Sequence, residues 1–349
     1  MTWNSLTSFG VWDLAAAALS QPVVSLVIAL IIAYGILVVT KAREDRRRAP
    51  EPSEAATRSM ASRYLPEHRT LGGAALAVII LFAIENVVRG YALNLVDVVS
   101  WWRYATPVFS AFLAVAVTLG VIVFRGTTPS ETPVGTAARR TWLSFGPQRG
   151  IVGAAIVLLL LLATTIAAGL ASSADGQGRY IWLEIPVPNE STIDPVRPWF
   201  YGWAYGIPVL ICLAALTVTT WATLRRNAAR PYIRPETVAL ERSARSEVAS
   251  GTVRIATAGM LLALAGAWRF IASSGSITQL VIQGENDGNA YEATWRYAEL
   301  ATGAGWFAPA LEIAGFVLLL LVASRLFRKR ASTAPEEHAE LPPTAGAAL

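Results

Sequence analysis

The sequence predicts an all-α fold, namely a polytopic helical membrane protein with seven transmembrane helices. Of its 349 residues, 54% are hydrophobic and 15% are charged, and the mean hydropathy is +0.46. An ordinary soluble domain is far more polar than this. The charged residues also lie in clusters between apolar stretches of about 20 residues, the length that a helix needs to cross the ~30 Å hydrocarbon layer.

Seven apolar stretches qualify as spans, at residues 23–40, 71–88, 104–124, 151–171, 203–224, 253–273 and 306–324. The predicted domains are an extracytoplasmic N-terminal segment (1–22), a seven-helix transmembrane bundle (23–327) and a disordered cytoplasmic tail (328–349). Residues 49–56 are also rich in Pro, Ala and Glu, so we expect disorder there too. Residues 1–21 contain no Lys or Arg, and a cleavable signal peptide needs a basic start. We therefore expect the first span to remain as an anchor.

The orientation follows from the basic residues. The segments 41–69, 125–149, 225–254 and 325–349 contain 23 Lys and Arg, whereas the alternate loops contain five arginines. Cytoplasmic loops carry the excess of basic residues in membrane proteins. The sequence therefore predicts an N-terminus outside the cell, a C-terminus in the cytoplasm and location in the plasma membrane.

The predicted outer loops are acidic, rich in tryptophan and too structured to be simple turns. Residues 179–188 and 277–283 are β-prone, and residues 291–301 have the pattern of an amphipathic helix. We expect these loops to form a small extracytoplasmic cap. Their tryptophans indicate an interfacial belt at the headgroup level, with a ligand-stacking surface as the alternative.

Small residues recur at the predicted inner ends of the even-numbered spans. Gly72, Gly73, Gly153, Gly259 and Ala263 predict close contacts between helices there. The odd-numbered spans share a proline near the outer boundary, followed 16 to 19 residues later by Lys or Arg. These patterns indicate either an internal duplication of helical hairpins or the common demands of alternating spans.

Charged residues inside the spans give the candidate site. Glu85, Arg269 and Glu312 each lie about 20 to 24 Å along their helix from the nearest predicted inner boundary. Charges at membrane depth are costly and usually face the bundle interior. One hypothesis is therefore a shared ligand-binding or structural charge network, in which an arginine lies between two carboxylates and Asn86 adds a neutral partner.

The alternative is that the three charges lie independently near the interface. Glu85 and Arg89 are spaced i, i+4 and could pair on one helix. Arg269 could extend toward the headgroups beside Trp268, and Glu312 could face a water-filled vestibule.

Several classes of chemistry lack their residues. The two histidines, His68 and His338, lie outside the spans, so paired haem ligation and zinc protease chemistry are not expected. Neither lysine lies deep in a span, where a retinal Schiff base would need one, and the common nucleotide, hydrolase and metalloprotease motifs are missing from the sequence. We expect no catalytic residues, no cofactor, no metal and no nucleic-acid partner.

Three functional hypotheses remain. The first is a non-enzymatic membrane protein, transport-associated or accessory, that binds a small solute or a partner subunit at its outer face and otherwise contacts the lipid bilayer. The second is a seven-helix sensor that signals to cytoplasmic partners. The third is a membrane enzyme acting on lipid or cell-wall intermediates with Glu85 or Glu312 as the acid or base.

Overall fold

The computed structural model describes residue 10 and residues 21–46, 54–88, 99–125, 141–188, 193–232, 235–281 and 289–328. Seven helices are long and apolar enough to cross a membrane. They are α1 (Pro22–Arg46), α2 (Glu54–Val87), α3 (Thr106–Arg125), α4 (Gln148–Ala171), α5 (Trp203–Ala229), α6 (Val238–Gly275) and α7 (Ala298–Ala323). A 3₁₀ turn, Pro235–Thr237, precedes α6, and a four-residue helix, α8 (Arg325–Arg328), follows α7. The prediction of an all-α, seven-helix integral membrane protein is confirmed.

Some sequence predictions lie outside the described residues. They include nearly all of the N-terminal segment 1–22 and all but the first residue of the tail 328–349. The prediction of disorder at 49–56 is wrong at its end, because α2 already begins at Glu54. Alanine and glutamate at residues 54–56 are good helix formers, which explains this early start.

Two helices extend well beyond their predicted apolar stretches. Helix α2 begins 17 residues before position 71, and α6 begins 15 residues before position 253. Hydropathy marks only the part of a helix that suits lipid, and both extensions are polar. They are rich in Ala, Glu and Arg, which favour helix outside the hydrocarbon layer as well. Two segments that we assigned to loops are therefore helical.

Helix α6 is the central element of the bundle. It packs against α2, α3, α4, α5 and α7, and it is the most buried of the seven spans. Helix α1 is peripheral and packs mainly on α7. Large apolar side chains remain exposed on the other helices, as expected for surfaces that face lipid; examples are Ile31, Val117, Leu159 and Ile211.

Glycine permits close helix contacts at some predicted positions and not at others. A Cβ atom on Gly259 would lie 2.5 Å from the Cβ of Ala111 in α3, and one on Gly72 would lie 2.4 Å from Leu326 of α8. Gly73 and Gly153 have open space where a Cβ would go. The prediction of close contacts is therefore confirmed at Gly72 and Gly259 and wrong at Gly73 and Gly153, which lie on helix faces without a close neighbour.

Two small antiparallel sheets cover one end of the bundle. Strand β1 (Ser173–Ala174) pairs with β2 (Tyr180–Trp182), and β3 (Gln279–Leu280) pairs with β4 (Tyr291–Glu292). Isolated bridges extend the first sheet by joining Trp182 to Trp199 and Ile185 to Val196. We call the described residues 172–188, 193–202, 276–281 and 289–297 the cap, and the end that they cover the cap end. The opposite end, where Arg225, Arg245 and Arg325 lie, is the arginine-rich end.

The cap has an apolar interior that continues into the bundle. Ile181, Leu183 and Ile185 are buried while the residues between and after them are more exposed, which is the alternation of a one-sided strand. These side chains belong to the same buried cluster as the bundle core. The first sheet is therefore fixed to the helices rather than separate from them.

The predicted amphipathic helix at 291–301 is wrong in its first half. Tyr291 and Glu292 form β4, and α7 begins only at Ala298. The backbone N–H of Ala293 also donates to the carbonyl of Thr278 at 3.0 Å. Pairing with β3 supplies partners for these backbone groups, and it overrides the local helical pattern.

Candidate functional site

The structure brings two of the predicted site residues into direct contact at the cap end. Arg269 on α6 forms an ion pair with Glu312 on α7, and Ser25 on α1 donates a hydrogen bond of 2.9 Å to the same Glu312 oxygen. The Glu312 side chain is 4% exposed and that of Arg269 is 23% exposed. The carboxylate is thus sheltered between three helices, while its guanidinium partner keeps some access to the surroundings.

The other two predicted residues make different contacts. Thr106 on α3 donates to Glu85 on α2 at 3.3 Å, and the amide of Asn86 donates to the Phe82 carbonyl of its own helix at 2.8 Å. The structure therefore adds Ser25 and Thr106 to the candidate site, and it assigns Asn86 to its own helix. Sequence analysis missed both hydroxyls because Ser and Thr are common in membrane helices and carry no charge to mark them.

A cluster of aromatic rings lies where the cap meets the bundle. Tyr104 packs edge-on against Tyr201 and Tyr205 at centroid distances of 5.2 and 5.5 Å, and it stacks on Phe270 at 5.6 Å. Such ring pairs add stability beyond their buried area. Phe270 follows Arg269 directly in α6, so this cluster fixes the helix segment that carries the arginine.

Tyr201 lies in the cap and is the fully buried residue of this aromatic cluster. Burial raises the pKa of its phenol well above the ordinary value of 10, and a weak hydrogen bond with Thr165, 3.4 Å away, opposes that shift only in part. The phenol is therefore neutral across physiological pH. It serves packing and hydrogen bonding rather than proton transfer.

A tight turn between β1 and β2 is held by Asp175. Its carboxylate accepts hydrogen bonds from the backbone N–H groups of Gln177 and Arg179 at 2.9 and 2.8 Å, and from the Arg179 side chain at 2.7 Å. Desolvation alone would raise the pKa of Asp175, but these bonds and the Arg179 charge outweigh it, so the pKa lies below its ordinary value. Gly178 completes the turn with φ of 77°, a conformation that glycine adopts without strain.

The cap is pinned to the bundle at close contacts. Ser274 at the end of α6 donates to the backbone carbonyl of Trp199. A Cβ on Gly202 would lie 2.2 Å from the Tyr180 carbonyl oxygen, so only glycine fits where the first sheet meets α5. Phe200 packs edge-on against Trp295 at 5.6 Å and joins the two halves of the cap. The cap thus has a defined position over the Arg269–Glu312 pair.

The arginine-rich end contains a second buried charged cluster, centred on Arg245 of α6. Its guanidinium donates to Tyr64, to Glu241 and to the backbone carbonyls of Arg230 and Pro231, at distances of 2.7 to 3.2 Å. Arg245 and Glu241 are completely buried, and the Tyr232 ring lies 4.4 Å from the guanidinium. One side chain thus joins α2, α6 and the segment that connects α5 to α6.

Two further pairs extend this cluster. Arg230 donates to Glu67 of α2 at 2.7 Å and to the Ile122 carbonyl of α3 at 3.3 Å. His68 lies 3.7 Å from Glu247 of α6. Arg230 and Glu67 are buried, as are Arg245 and Glu241, and such paired charges favour one arrangement of their helices because a displacement would leave a buried charge uncompensated.

Sequence analysis missed this second cluster. We assigned its residues to cytoplasmic loops, where Lys and Arg are normally solvated. The sequence does contain a signal for it. Glu241 and Arg245 are spaced i, i+4, which places opposite charges on one helix face, and Tyr64 and Glu67 are spaced i, i+3, which places an aromatic ring and a carboxylate on another. Their burial, however, depends on the helical extensions of α2 and α6, which hydropathy does not mark.

Among the residues that the structure describes, no group of three or more His, Cys, Asp or Glu side chains could hold a metal ion. The candidate site is thus an ion pair with hydroxyl and aromatic neighbours, a chemistry suited to binding and to fixing helices. The chain matches no protein-family model, no curated protein and no solved structure.

Proposed function

We propose that the protein is a non-enzymatic, accessory subunit of the plasma membrane that binds a partner membrane protein through its cap. The observation that carries this proposal is a cap fixed to the bundle yet exposing aromatic side chains. In the cap, Tyr180 and Tyr297 are 45% and 42% exposed, and Trp101 and Trp102, which lie just before α3, are 56% and 46% exposed. Trp and Tyr are enriched where protein interfaces gain most of their energy. A rigid surface of this kind suits a partner better than a solute.

The proposed orientation places the cap outside the cell. It rests on the sequence, in which the segments 41–69, 125–149, 225–254 and 325–349 contain 23 Lys and Arg and the alternate loops contain five arginines, since basic loops stay in the cytoplasm. The two arginines of described cap ion pairs, Arg179 and Arg197, bind Asp175 and Glu184, which leaves little free positive charge there.

The geometry favours binding over transport or catalysis. The seven described spans are each a continuous helix, whereas secondary transporters usually build their sites from broken helices. Glu312 is nearly buried and already binds Arg269 and Ser25. A carboxylate held in this way is poorly placed to exchange protons with a substrate.

Site-specific photo-crosslinking in intact membranes tests this proposal. A photoreactive phenylalanine analogue at Tyr180 or Tyr297 should yield one discrete crosslinked product. The same analogue at Trp142, an aromatic residue exposed at the arginine-rich end, should yield none of that product. Mass spectrometry of the product should identify a membrane protein that co-purifies at fixed stoichiometry with the parent chain, and whose recovery falls with the Tyr180→Ala, Tyr297→Ala double substitution. Equal crosslinking from all three positions, or unchanged recovery with the double substitution, would contradict the proposal.

A second candidate function, membrane sensing, is favoured by the continuity of α6. This one helix carries Arg269 at the cap end and Arg245 at the arginine-rich end, about 36 Å apart along its axis. A movement at the cap could therefore reach the cytoplasmic cluster through a rigid rod. If so, Arg269→Gln should increase amide hydrogen exchange in residues 238–247, whereas Arg179→Gln, a change in the cap alone, should not. Exchange in 238–247 that is the same in both variants and the parent would exclude this coupling.

A further inference from the structure

A polar groove lies at the arginine-rich end, along the face that the extension of α6 turns toward α8. Its walls include Arg242, Ser243, Ser246 and Ser250 of α6 and Arg325 of α8. Ser243, Ser246 and Ser250 are spaced three or four residues apart and form one stripe on the helix, and Arg242 lies one turn before Ser246 beside that stripe. The groove is shallow and largely open to its surroundings, with a volume of about 520 Å³.

The groove has a fixed shape because α8 is anchored. Arg325 donates to the backbone carbonyl of Glu247 at 3.0 Å. The Leu326 side chain fills the space above Gly72 of α2, where a Cβ would lie 2.4 Å from it. The guanidinium of Arg325 is therefore held next to α6 rather than extended freely into the cytoplasm.

Positive charge is concentrated at the groove. Arg242 and Arg325 line the groove. Arg254 lies just outside these lining residues, one helical turn beyond Ser250, and it is near enough to Arg325 for the two positive charges to repel each other. Arg254 is half-buried, yet in the described ranges it forms no ion pair or hydrogen bond with another side chain. Two cations held together in this way lower their mutual repulsion by sharing an anion.

Hydrogen-bond donors accompany this charge. Within the part of the chain that the structure describes, the hydroxyls of Ser243, Ser246 and Ser250 make no hydrogen bond to a protein group. Among the described residues that line the groove, Glu247 supplies the single carboxylate, which is 48% exposed and lies 3.7 Å from the Nε2 atom of His68. Guanidinium and hydroxyl groups together match the oxygens of a phosphate.

The position of the groove also fits a membrane lipid. Arg254 is 15 residues from Arg269, or about 22 Å along α6, and Arg325 is 13 residues from Glu312, or about 20 Å along the chain from α7. Both arginines therefore lie near the opposite boundary of the hydrocarbon layer from the cap. Basic pockets between helices at that depth bind the headgroups of anionic lipids.

We infer that the end of the groove between α6 and α8 is a phosphate-binding site, formed by Arg325 and Ser250 with Arg254, one helical turn beyond Ser250. Its ligand carries a phosphate group, either in an anionic phospholipid of the inner leaflet or as free phosphate in the cytoplasm. The site is independent of the proposed partner-binding surface, since it lies at the other end of the bundle.

The test measures how much ligand stabilises the full-length protein in mixed micelles. A ligand that binds only the folded state raises the melting temperature in proportion to its affinity. Each variant is melted with added phosphatidylglycerol and with added phosphatidylcholine, and the difference between the two temperatures is recorded. A substitution that lowers the basal stability lowers both melting temperatures, so this loss cancels in the difference.

Phosphatidylglycerol should stabilise the parent more than phosphatidylcholine does. The double variant R254Q/R325Q should lose most of that difference, equivalent to a roughly thirtyfold weaker Kd for phosphatidylglycerol. The single variant R254Q keeps the bond from Arg325 to Glu247, and it should lose part of the difference. The control R43Q/R149Q removes the same charge from exposed positions on α1 and α4, and it should change Kd less than about threefold.

The remaining arms identify the source of the phosphate. If inorganic phosphate at constant ionic strength reproduces the stabilisation in the parent and not in R254Q/R325Q, the site stands and its ligand is soluble. If R254Q/R325Q retains the full phosphatidylglycerol effect without any phosphate effect in the parent, the inference is overturned. It is also overturned if R43Q/R149Q loses as much as R254Q/R325Q, because general surface charge would then explain the binding.

Discussion

At the scale of single residues, the ion pair between Arg269 and Glu312 is the central contact of the candidate site at the cap end. A cation and an anion taken out of water lose much of their hydration, and their attraction offsets this loss only when the geometry is good. Here Ser25 satisfies the carboxylate further. The sequence predicts both residues of the pair, because Glu85, Arg269 and Glu312 lie at one depth in their spans. The serine lies on a different helix, and no feature of the sequence relates it to the pair.

Removing Arg269 should be costly because it leaves Glu312 buried without its cation. We expect Arg269→Ala to lower the free energy of unfolding by about 3 kcal/mol, near the lower end for buried pairs because Arg269 is partly exposed. The double change Arg269→Gln, Glu312→Gln should recover much of this loss, since it removes both charges. The matched control is Arg179→Ala, which breaks the pair with Asp175, where the Arg179 side chain is 47% exposed, and it should cost clearly less than Arg269→Ala. Thermal unfolding in detergent measures all three, and equal losses for Arg269→Ala and Arg179→Ala would contradict the buried pair.

Arg245 should be the most sensitive arginine at the other end. Four oxygen atoms accept its hydrogen bonds, and the side chain is completely buried. We expect Arg245→Ala to cost about 3 to 5 kcal/mol, with little recovery in Arg245→Lys, because an ammonium group cannot reproduce the planar fork of donors. Arg242, one turn away and exposed, provides the control: its alanine variant should melt close to the parent. A normal melting temperature for Arg245→Lys would show that charge alone, not the fork, holds the cluster.

The Asp175 turn should make the cap sensitive to acid. Because the folded pKa of Asp175 is lowered, its contribution is fully present above the unfolded value, near 3.8, and is lost as the pH falls through the folded pKa. Amide hydrogen exchange at Gln177 and Arg179, corrected for its intrinsic pH dependence, should therefore accelerate below pH 3.8. Asp175→Asn should remove this acceleration, because an amide does not titrate. An identical acid response in the parent and in Asp175→Asn would assign the effect to another group.

At the scale of helices and strands, the sequence predicts what hydropathy and alternation control. The seven apolar stretches correspond to α1–α7, and the alternating run after Arg179 forms β2 and its continuation. The predictions fail where tertiary contacts decide, as in the polar extension of α6 and in β4, which pairs with β3 instead of starting a helix. Likewise, the buried cluster around Arg245 needs both extensions before its residues can meet. Periodicity within one segment carries no information about its partner.

The glycines of the even-numbered helices offer a test at this scale. At Gly259, an added Cβ would lie 2.5 Å from Ala111 and 2.8 Å from the Pro107 carbonyl oxygen, and backbone cannot move aside easily. We expect Gly259→Ala to separate α3 from α6 and to destabilise the bundle by about 1 to 3 kcal/mol. Gly153→Ala, on α4 with open space around it, should be neutral or stabilising by up to about 1 kcal/mol, since alanine favours helix. Thermal unfolding of the two variants side by side is the measurement, and a Gly259→Ala variant as stable as Gly153→Ala would contradict the close packing of α3 and α6.

At the scale of the whole molecule, the two charged clusters lie at opposite ends of one central helix. The cap and the Arg269–Glu312 pair occupy one end, and the Arg245 cluster and the proposed phosphate site occupy the other. The proposed functions assign these ends to opposite sides of the membrane. Partner binding through the cap requires that it lie outside the cell, and a phosphate site for inner-leaflet lipid requires that α8 lie inside. Both proposals therefore depend on one orientation.

Cysteine accessibility in intact cells measures that orientation most directly. In a Cys212→Ser background, which removes the sole native cysteine, single cysteines replace Gln177 in the cap and Ser246 at the arginine-rich end, both exposed positions. A membrane-impermeant maleimide should label Gln177→Cys in intact cells, and it should label Ser246→Cys only after the membrane is permeabilised. Labelling of Ser246→Cys in intact cells together with protection of Gln177→Cys would place the cap in the cytoplasm and contradict the account.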